Sequence, residues 1–216
     1  MMQRINVNVA SSYYCEKGFV NLDNHLFMKF LWCPRLFRWL FPKKYHDVYN
    51  KFLHCKENFI FQRHDCRTSL PFVDESVDHI LCAHFLEHLY FSEAIEVLKD
   101  YYQKLKIGGT LHISMPDMDH YVSQYQKNRL AYPKISCDSV NLATLLTSSE
   151  RPSKKFSFLE FCGGFGLKHH YVWNKDLCEH VCKGVGFSLA REGTVNPSSH
   201  YRTEKDAFEV FLQKNG

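Results

Sequence analysis

Short apolar runs alternate with longer amphipathic stretches along this chain, and the runs have the length of β-strands. Alternating apolar positions predict a strand at 4–9 and a second at 18–22 that ends at Asp23. Further strands are predicted at 58–62, 78–83, 110–115, 187–192 and 207–213. Strands that alternate with helices are typical of a layered α/β fold, and the length predicts a single domain over 1–216.

The connection between the first two predicted strands is unusually short, because only residues 10–17 separate them. Parallel neighbours usually need a crossover of a dozen or more residues, most often a helix. Two interpretations follow. Either a tight irregular loop joins the two strands, or they are not paired with each other.

An aromatic-rich helical insertion is predicted at about 24–52, and Pro34 interrupts it. It is too short and carries too many basic residues to span a bilayer. Three interpretations are open: two helices packed on the sheet, a substrate lid, or a peripheral membrane contact through residues 25–44.

Three other helical segments follow from the pattern. One is predicted to be N-capped by Ser92 and stopped by the glycines at 108–109. A mainly helical insertion is predicted at about 118–155, and Asn174 is predicted to cap the last helix.

Composition excludes several classes of function. The net charge of +4, without a concentrated basic face, argues against a nucleic-acid partner. The nine cysteines are odd in number and scattered, which favours a reducing cytoplasm, as does the lack of a signal peptide at the N-terminus. Cys178, His180 and Cys182 cluster, but their spacing matches no usual zinc pattern. We therefore predict no metal site.

Polar side chains follow two of the predicted strands where each strand stops. His84, Glu87 and His88 come after the strand at 78–83, and Asp117 comes after the strand at 110–115. In open parallel sheets, ligands bind beyond the carboxyl ends of the strands. These residues are therefore candidates for a functional site.

Four linked motifs in this region resemble a known family. They are Leu-Pro-Phe-x-Asp-x-Ser-x-Asp, His-x-Leu-Glu-His-Leu, Leu-Lys-x-Gly-Gly and a strand ending in Pro-Asp, at 70–78, 84–89, 105–109 and 115–117. Together they resemble the second half of the cofactor domain of class I S-adenosylmethionine-dependent methyltransferases. Residues 5–7 with 18–23, and the segments 166–174 and 197–202, resemble a short-looped, type 11-like subgroup often encoded near surface-glycan genes.

The resemblance covers nearly the whole chain and implies a fold and an activity. The fold would be the Rossmann-like class I methyltransferase fold, an α/β architecture. It has a central, mostly parallel seven-stranded sheet, helices on both faces and an antiparallel last strand, here with the first helix shortened or absent. The cofactor would be S-adenosyl-L-methionine. The implied activity is methyl transfer to an oxygen or nitrogen of a small-molecule or glycan-like acceptor.

The resemblance also implies roles for individual residues. The cofactor would lie among Asn8, Ala10, Asp23, Asp65, Cys66 and His84. Asp23 would bind the ribose hydroxyls, and Asp65 would bind the adenine amino group beside the Cys66 backbone N–H. Simple structural roles are the alternatives: a helix N-cap for Asp23 and a solvated loop position for Asp65.

The acceptor side of the implied site contains several histidines. His84 lies where the family places residues near the transferring methyl group, and a neutral imidazole there can act as the catalytic base. Its alternative is a structural histidine. The remaining acceptor contacts would be Glu87, His88, Asp117 and His169. Asp117 is equally well placed to cap the helix that follows it.

One departure from the family pattern separates two hypotheses. Asn8 and Ala10 stand where the family has the glycines of its first cofactor turn, which allow positive φ and close backbone approach. The chain is therefore either an active methyltransferase or a catalytically inactive, methyltransferase-like binding or scaffolding protein. No residue pattern identifies the acceptor or an oligomeric state.

Overall fold

The computed structural model of the chain describes residues 4–132, 169–190 and 206–216. Its strands are β1 (Asn6–Val9), β2 (Val20–Asp23), β3 (Ile60–Arg63), β4 (Val77–Ala83), β5 (Leu105–Pro116), β6 (Phe187–Leu189) and β7 (Ala207–Lys214). They form one sheet in the order β3-β2-β1-β4-β5-β7-β6. Strands β1 to β5 are parallel, and β7 runs antiparallel to both β5 and β6. The expected mostly parallel seven-stranded sheet with an antiparallel last strand is confirmed.

Five helices accompany the sheet in the described ranges. They are α1 (Pro34–Leu40), α2 (His46–Asn58), α3 (Phe91–Lys104), α4 (Met118–Asn128) and α5 (Lys175–Val185), and short 3₁₀ helices lie at Leu26–Phe30, Lys43–Tyr45 and Leu86–His88. Helix α4 begins the insertion predicted at 118–155, most of which lies outside the described residues. Among the described helices, none combines the length and the apolar character needed to cross a bilayer.

The aromatic-rich segment folds as a core of its own. Within it, the fully buried ring of Phe37 stacks on Tyr49 with 3.7 Å between ring centroids, and on Phe41 with 4.4 Å. Phe61 of β3 packs against the same cluster. Helices α1 and α2 therefore pack through aromatic side chains beside the β3 edge of the sheet.

The connection between β1 and β2 is a tight irregular loop. The two strands pair in parallel register, and residues 10–19, all of them described, contain no helix. The buried Asn8 amide donates to the Tyr14 carbonyl and to Asn21 Oδ1, each at 2.9 Å, and Asn21 Oδ1 also accepts from the Glu16 N–H at 2.7 Å. These two asparagine side chains supply hydrogen bonds to the loop backbone, so the loop is ordered without a crossover helix.

Two predicted features of α3 are wrong. The N-cap is Tyr90, not Ser92, because the Glu93 carboxylate accepts from the Tyr90 N–H at 3.0 Å and completes a capping box. The glycines at 108–109 do not stop the helix, because Leu105 is already extended and begins β5. The glycines lie instead where the β4–β5 register shifts, and a Cβ on Gly109 would come 2.8 Å from a backbone oxygen. The last helix begins as predicted, with Asn174 accepting from the Leu177 N–H.

Candidate active site

The carboxyl ends of four neighbouring strands bring the predicted residues to one edge of the sheet. Asp23 ends β2, Ala10 follows β1, His84 follows β4 and Asp117 follows β5. Since β2, β1, β4 and β5 are adjacent and parallel, these four residues share an edge. The four residues therefore lie on one edge of the sheet, and their roles in a site stay predictions.

Asp23 holds the β1–β2 loop. Its Oδ2 accepts from the Ser12 N–H at 2.8 Å, and its Oδ1 accepts from the His25 N–H at 2.6 Å. Burial raises the pKa of this carboxyl group, and the backbone N–H groups of Ser12, His25 and Asn24 oppose that rise. The N-cap of the following 3₁₀ helix is His25, not Asp23. A carboxylate accepts about four hydrogen bonds, so Asp23 retains capacity for a further donor.

Asp65 forms an ion pair that sequence reasoning missed. Arg67 donates from Nε to Oδ1 at 2.8 Å and from Nη2 to Oδ2 at 2.6 Å. This bidentate pair holds the pKa of Asp65 below its usual range. The Asp-x-Arg spacing was the signal available in the sequence. Asp65 is therefore more than a solvated loop position, because it already has a cationic partner.

Cys66 and Ala10 meet beneath the first turn. The buried Cys66 Sγ lies 3.4 Å from the Ala10 N–H, and burial raises the pKa of the thiol to about 12. Ala10 has a φ of 51°, in the left-handed region. This conformation costs an alanine roughly 1–2 kcal/mol relative to a right-handed one. The turn therefore has the positive φ that usually favours glycine, although an alanine occupies the position.

His84 leaves the sheet on a left-handed backbone with a φ of 50°, and its N–H donates to the Ser114 carbonyl at 2.9 Å. The imidazole Nδ1 lies 3.3 Å from Oε1 of Glu87, whose side chain is only 2% exposed, whereas the His84 side chain is 37% exposed. A carboxylate beside one ring nitrogen orients an imidazole and stabilises its protonated form. The pair can therefore act as a positioned base.

Residues 169–171, which precede α5 and are distant in sequence from His84, contact the same edge of the sheet. The Glu87 carbonyl accepts from the His170 N–H at 2.8 Å and from the Tyr171 N–H at 3.2 Å. The rings of His88 and His169 meet edge-on with centroids 4.8 Å apart. His169 therefore lies beside His88, another predicted acceptor residue, although 81 positions separate the two.

Asp117 has the capping function that was its alternative role. Its Oδ1 accepts from the Asp119 N–H at 3.0 Å, at the start of α4. Its own N–H donates to the Asp206 carbonyl at 2.8 Å. An acceptor contact by Asp117 stays a prediction.

The chain is similar to known proteins in part of its sequence and in its fold. The family described as "Methyltransferase domain" matches residues 44–113. No curated protein matches the chain. Many solved structures are similar to it in fold, and three of them show how low the sequence identity is.

A protein of Pyrococcus horikoshii shares 14% identity, with a TM-score of 0.52 over 99% of this chain and 83% of that one. A SAM-dependent methyltransferase of Archaeoglobus fulgidus shares 12%, with a TM-score of 0.52 over 98% and 86%. One from Methanosarcina mazei shares 11%, with a TM-score of 0.53 over 100% and 94%.

At such identities the structural similarity establishes the fold, and the sequence match at residues 44–113 agrees with it. The motifs at 70–78, 84–89 and 105–109 all lie inside the matched region. The chain therefore has the class I methyltransferase fold, and its residues 44–113 match the family described as a methyltransferase domain.

Proposed function

We propose that this chain transfers a methyl group from S-adenosyl-L-methionine to an oxygen or nitrogen of a small-molecule or glycan-like acceptor. The observation that carries the proposal is His84, which sits against the buried Glu87 carboxylate on the same sheet edge as Asp23. The family match supports this cofactor, as does the fold shared with two SAM-dependent methyltransferases. The odd, scattered cysteines support a cytoplasmic location.

The residues present fit this cofactor. Asp23 has spare acceptor capacity for the ribose hydroxyls, and Asp65 can accept from the adenine amino group while it stays paired with Arg67. The left-handed turn at Ala10 suits the methionine part. When bound, the cofactor supplies a methyl group on a positively charged sulfur.

The protein's own contribution to this reaction is mostly positioning, since methyl transfer is a direct displacement. The His84 imidazole accepts the proton that the acceptor hydroxyl or amine loses as its new bond to carbon forms. The Glu87 carboxylate, 3.3 Å from the ring nitrogen, stabilises the resulting imidazolium electrostatically. We assign the acceptor side to Glu87, His88, Asp117 and His169.

A second candidate function is binding or scaffolding without catalysis. Two observations favour it. Ala10 adds a methyl group where the family has a glycine, and the carboxylates of Asp23 and Asp65 already have protein partners. If the chain folds with these Asp23 and Asp65 contacts but does not bind the cofactor, it is a binding or scaffolding protein without catalytic activity.

Calorimetric titration with S-adenosylmethionine and S-adenosylhomocysteine separates the two functions. We expect wild-type protein to bind both compounds and Asp23→Asn to bind about 10- to 100-fold more weakly, because hydrogen bonds to a charged acceptor contribute about 1.5–3 kcal/mol. Asparagine keeps one acceptor for the Ser12 N–H, so the loop should survive.

Asp47→Asn, at an exposed position on α2, is the matched control and should leave the affinity unchanged. Circular dichroism of each variant reports whether it is folded. A folded wild-type protein that binds neither compound at millimolar concentration would establish the scaffolding function instead.

We also propose that residues 25–44 contact an anionic membrane surface. Trp32 and Trp39 are 73% and 80% exposed, although the neighbouring Phe37 is buried. The basic residues Lys29, Arg35 and Arg38 are exposed in the same segment. Exposed tryptophans suit the headgroup region of a bilayer, and basic residues beside them are attracted to anionic lipids.

Liposome flotation tests this contact. We expect wild-type protein to float with vesicles that contain phosphatidylserine and to float less with neutral vesicles. The double variant Trp32→Ala/Trp39→Ala should stay at the bottom of the gradient. Leu130→Ala, which removes an exposed apolar side chain elsewhere, should float as wild type does. Wild-type protein that does not float with anionic vesicles would refute the contact.

A further inference from the structure

Three side chains of types that commonly bind metals lie close together, and one of them is the Glu87 that contacts His84. Glu87, His88 and His169 each offer one ligand atom, and these atoms all lie within 4.8 Å of one another. We propose that they bind one divalent transition-metal cation, with Zn²⁺ as the preferred ion. The sequence predicted no metal site and assigned these residues to the acceptor.

The buried Glu87 carboxylate is an independent reason for a cation here. Its side chain is 2% exposed, and in the part of the chain that the structure describes neither Oε1 nor Oε2 has a hydrogen-bond partner of good geometry. The His84 Nδ1 lies 3.3 Å from Oε1. A buried charge without full compensation is costly, and a bound cation offsets that cost.

The backbone holds the three ligands together before any ion arrives. Glu87 and His88 lie on the 3₁₀ helix Leu86–His88, and the Glu87 carbonyl accepts two N–H groups from residues 170–171. His169 precedes this anchored pair, and its ring already meets that of His88. A site whose ligands are already positioned loses less conformational entropy when the ion binds.

The donor set selects the kind of ion. Two imidazoles and one carboxylate are a usual set for Zn²⁺ and also for Fe²⁺, whereas Mg²⁺ and Ca²⁺ prefer oxygen donors throughout. In a tetrahedral Zn²⁺ site the ligand atoms stand roughly 3.3 Å apart, so no two of these atoms have to approach each other by more than about 1.5 Å. Three protein ligands leave one position open, as in catalytic zinc sites.

Titration of the metal-free full-length chain with Co²⁺, followed by displacement with Zn²⁺, tests the site. We expect one equivalent of Co²⁺ to bind with visible absorption bands and without the intense near-ultraviolet band of cobalt–thiolate bonds. The absence of the cobalt–thiolate band matters because the chain has nine cysteines, whose thiolates are alternative ligands. Zn²⁺ should displace the cobalt and raise the melting temperature.

His88→Ala and His169→Ala should each weaken binding by at least the roughly 10- to 100-fold that loss of an outer-shell partner costs a metal site. Glu87→Gln should weaken it similarly while keeping the side-chain volume. His170→Ala is the matched control, because the ring of His170 stacks on Tyr90 and its backbone bond to Glu87 is retained. Its affinity should equal that of wild type.

Three results would overturn the proposal: no binding of either ion to folded wild-type protein, a cobalt–thiolate band, or unchanged affinity in the double variant His88→Gln/His169→Gln. The glutamines in that variant keep most of the side-chain volume, and circular dichroism without metal verifies its fold. All readouts are made without S-adenosylmethionine. The metal site and the methyl transfer can therefore fail independently of each other.

Discussion

Replacing His84 by asparagine is expected to slow methyl transfer by about 100- to 10,000-fold, the usual contribution of a general base. Asparagine suits the test because it tolerates the left-handed backbone at this position, where φ is 50°, and has no basic nitrogen. Initial rates of S-adenosylhomocysteine formation with an accepted substrate test this expectation.

His54→Asn is the matched control for this experiment. His54 is exposed on α2, and its replacement should leave the rate unchanged. Calorimetry on His84→Asn shows whether cofactor affinity falls as well, since the resemblance places His84 near the cofactor. An unchanged turnover in His84→Asn would show that His84 is a structural histidine and that another group takes the proton.

Phe37→Ala is expected to lower the free energy of unfolding by about 3–5 kcal/mol, the usual cost of removing a buried aromatic ring. Phe37 is fully buried and stacks on both Tyr49 and Phe41, so its loss leaves a cavity between α1 and α2. In a protein of this size each kcal/mol shifts the melting temperature by about 2–4 °C. The expected fall is therefore roughly 6–20 °C, and urea unfolding gives the free energy directly.

Trp39→Ala is the matched control on the same helix. Trp39 is 80% exposed, so its removal should change the free energy of unfolding by no more than about 0.5 kcal/mol. The contrast would show that α1 has one face in a core and another available for a partner. If Phe37→Ala were as mild as Trp39→Ala, the aromatic cluster would not be a stabilising core.

The β1–β2 loop connects fold stability with the proposed cofactor site. Asp23 accepts a loop N–H, from Ser12, at the position where the resemblance implies a ribose contact. The Asn8 and Asn21 amides hold the same loop from inside the sheet. The same carboxylate would therefore both order the loop and bind the cofactor. Residues 10–19 contain no crossover helix that could order this region in its place.

Strand positions could be predicted well because they depend on local patterns, either side-chain alternation or a short continuous apolar run. The predicted strand at 78–83 corresponds to β4, and the N-cap at Asn174 depends only on its own side chain and the next turn. The end of α3 could not be predicted in this way. The glycines at 108–109 signal a helix stop locally, but pairing with β4 draws residues from Leu105 onward into the sheet.

The sequence by itself determined the class of fold and which residues follow the strands at one edge of the sheet, since strand periodicity and polar residues after strands are local features. Only the tertiary structure decided which groups meet there. The Asp23–Ser12 bond depends on the loop path, and the Glu87–His88–His169 cluster joins residues about 80 positions apart. Such contacts depend on how distant segments pack. Side-chain periodicity within one segment does not identify the distant residues that the segment will contact.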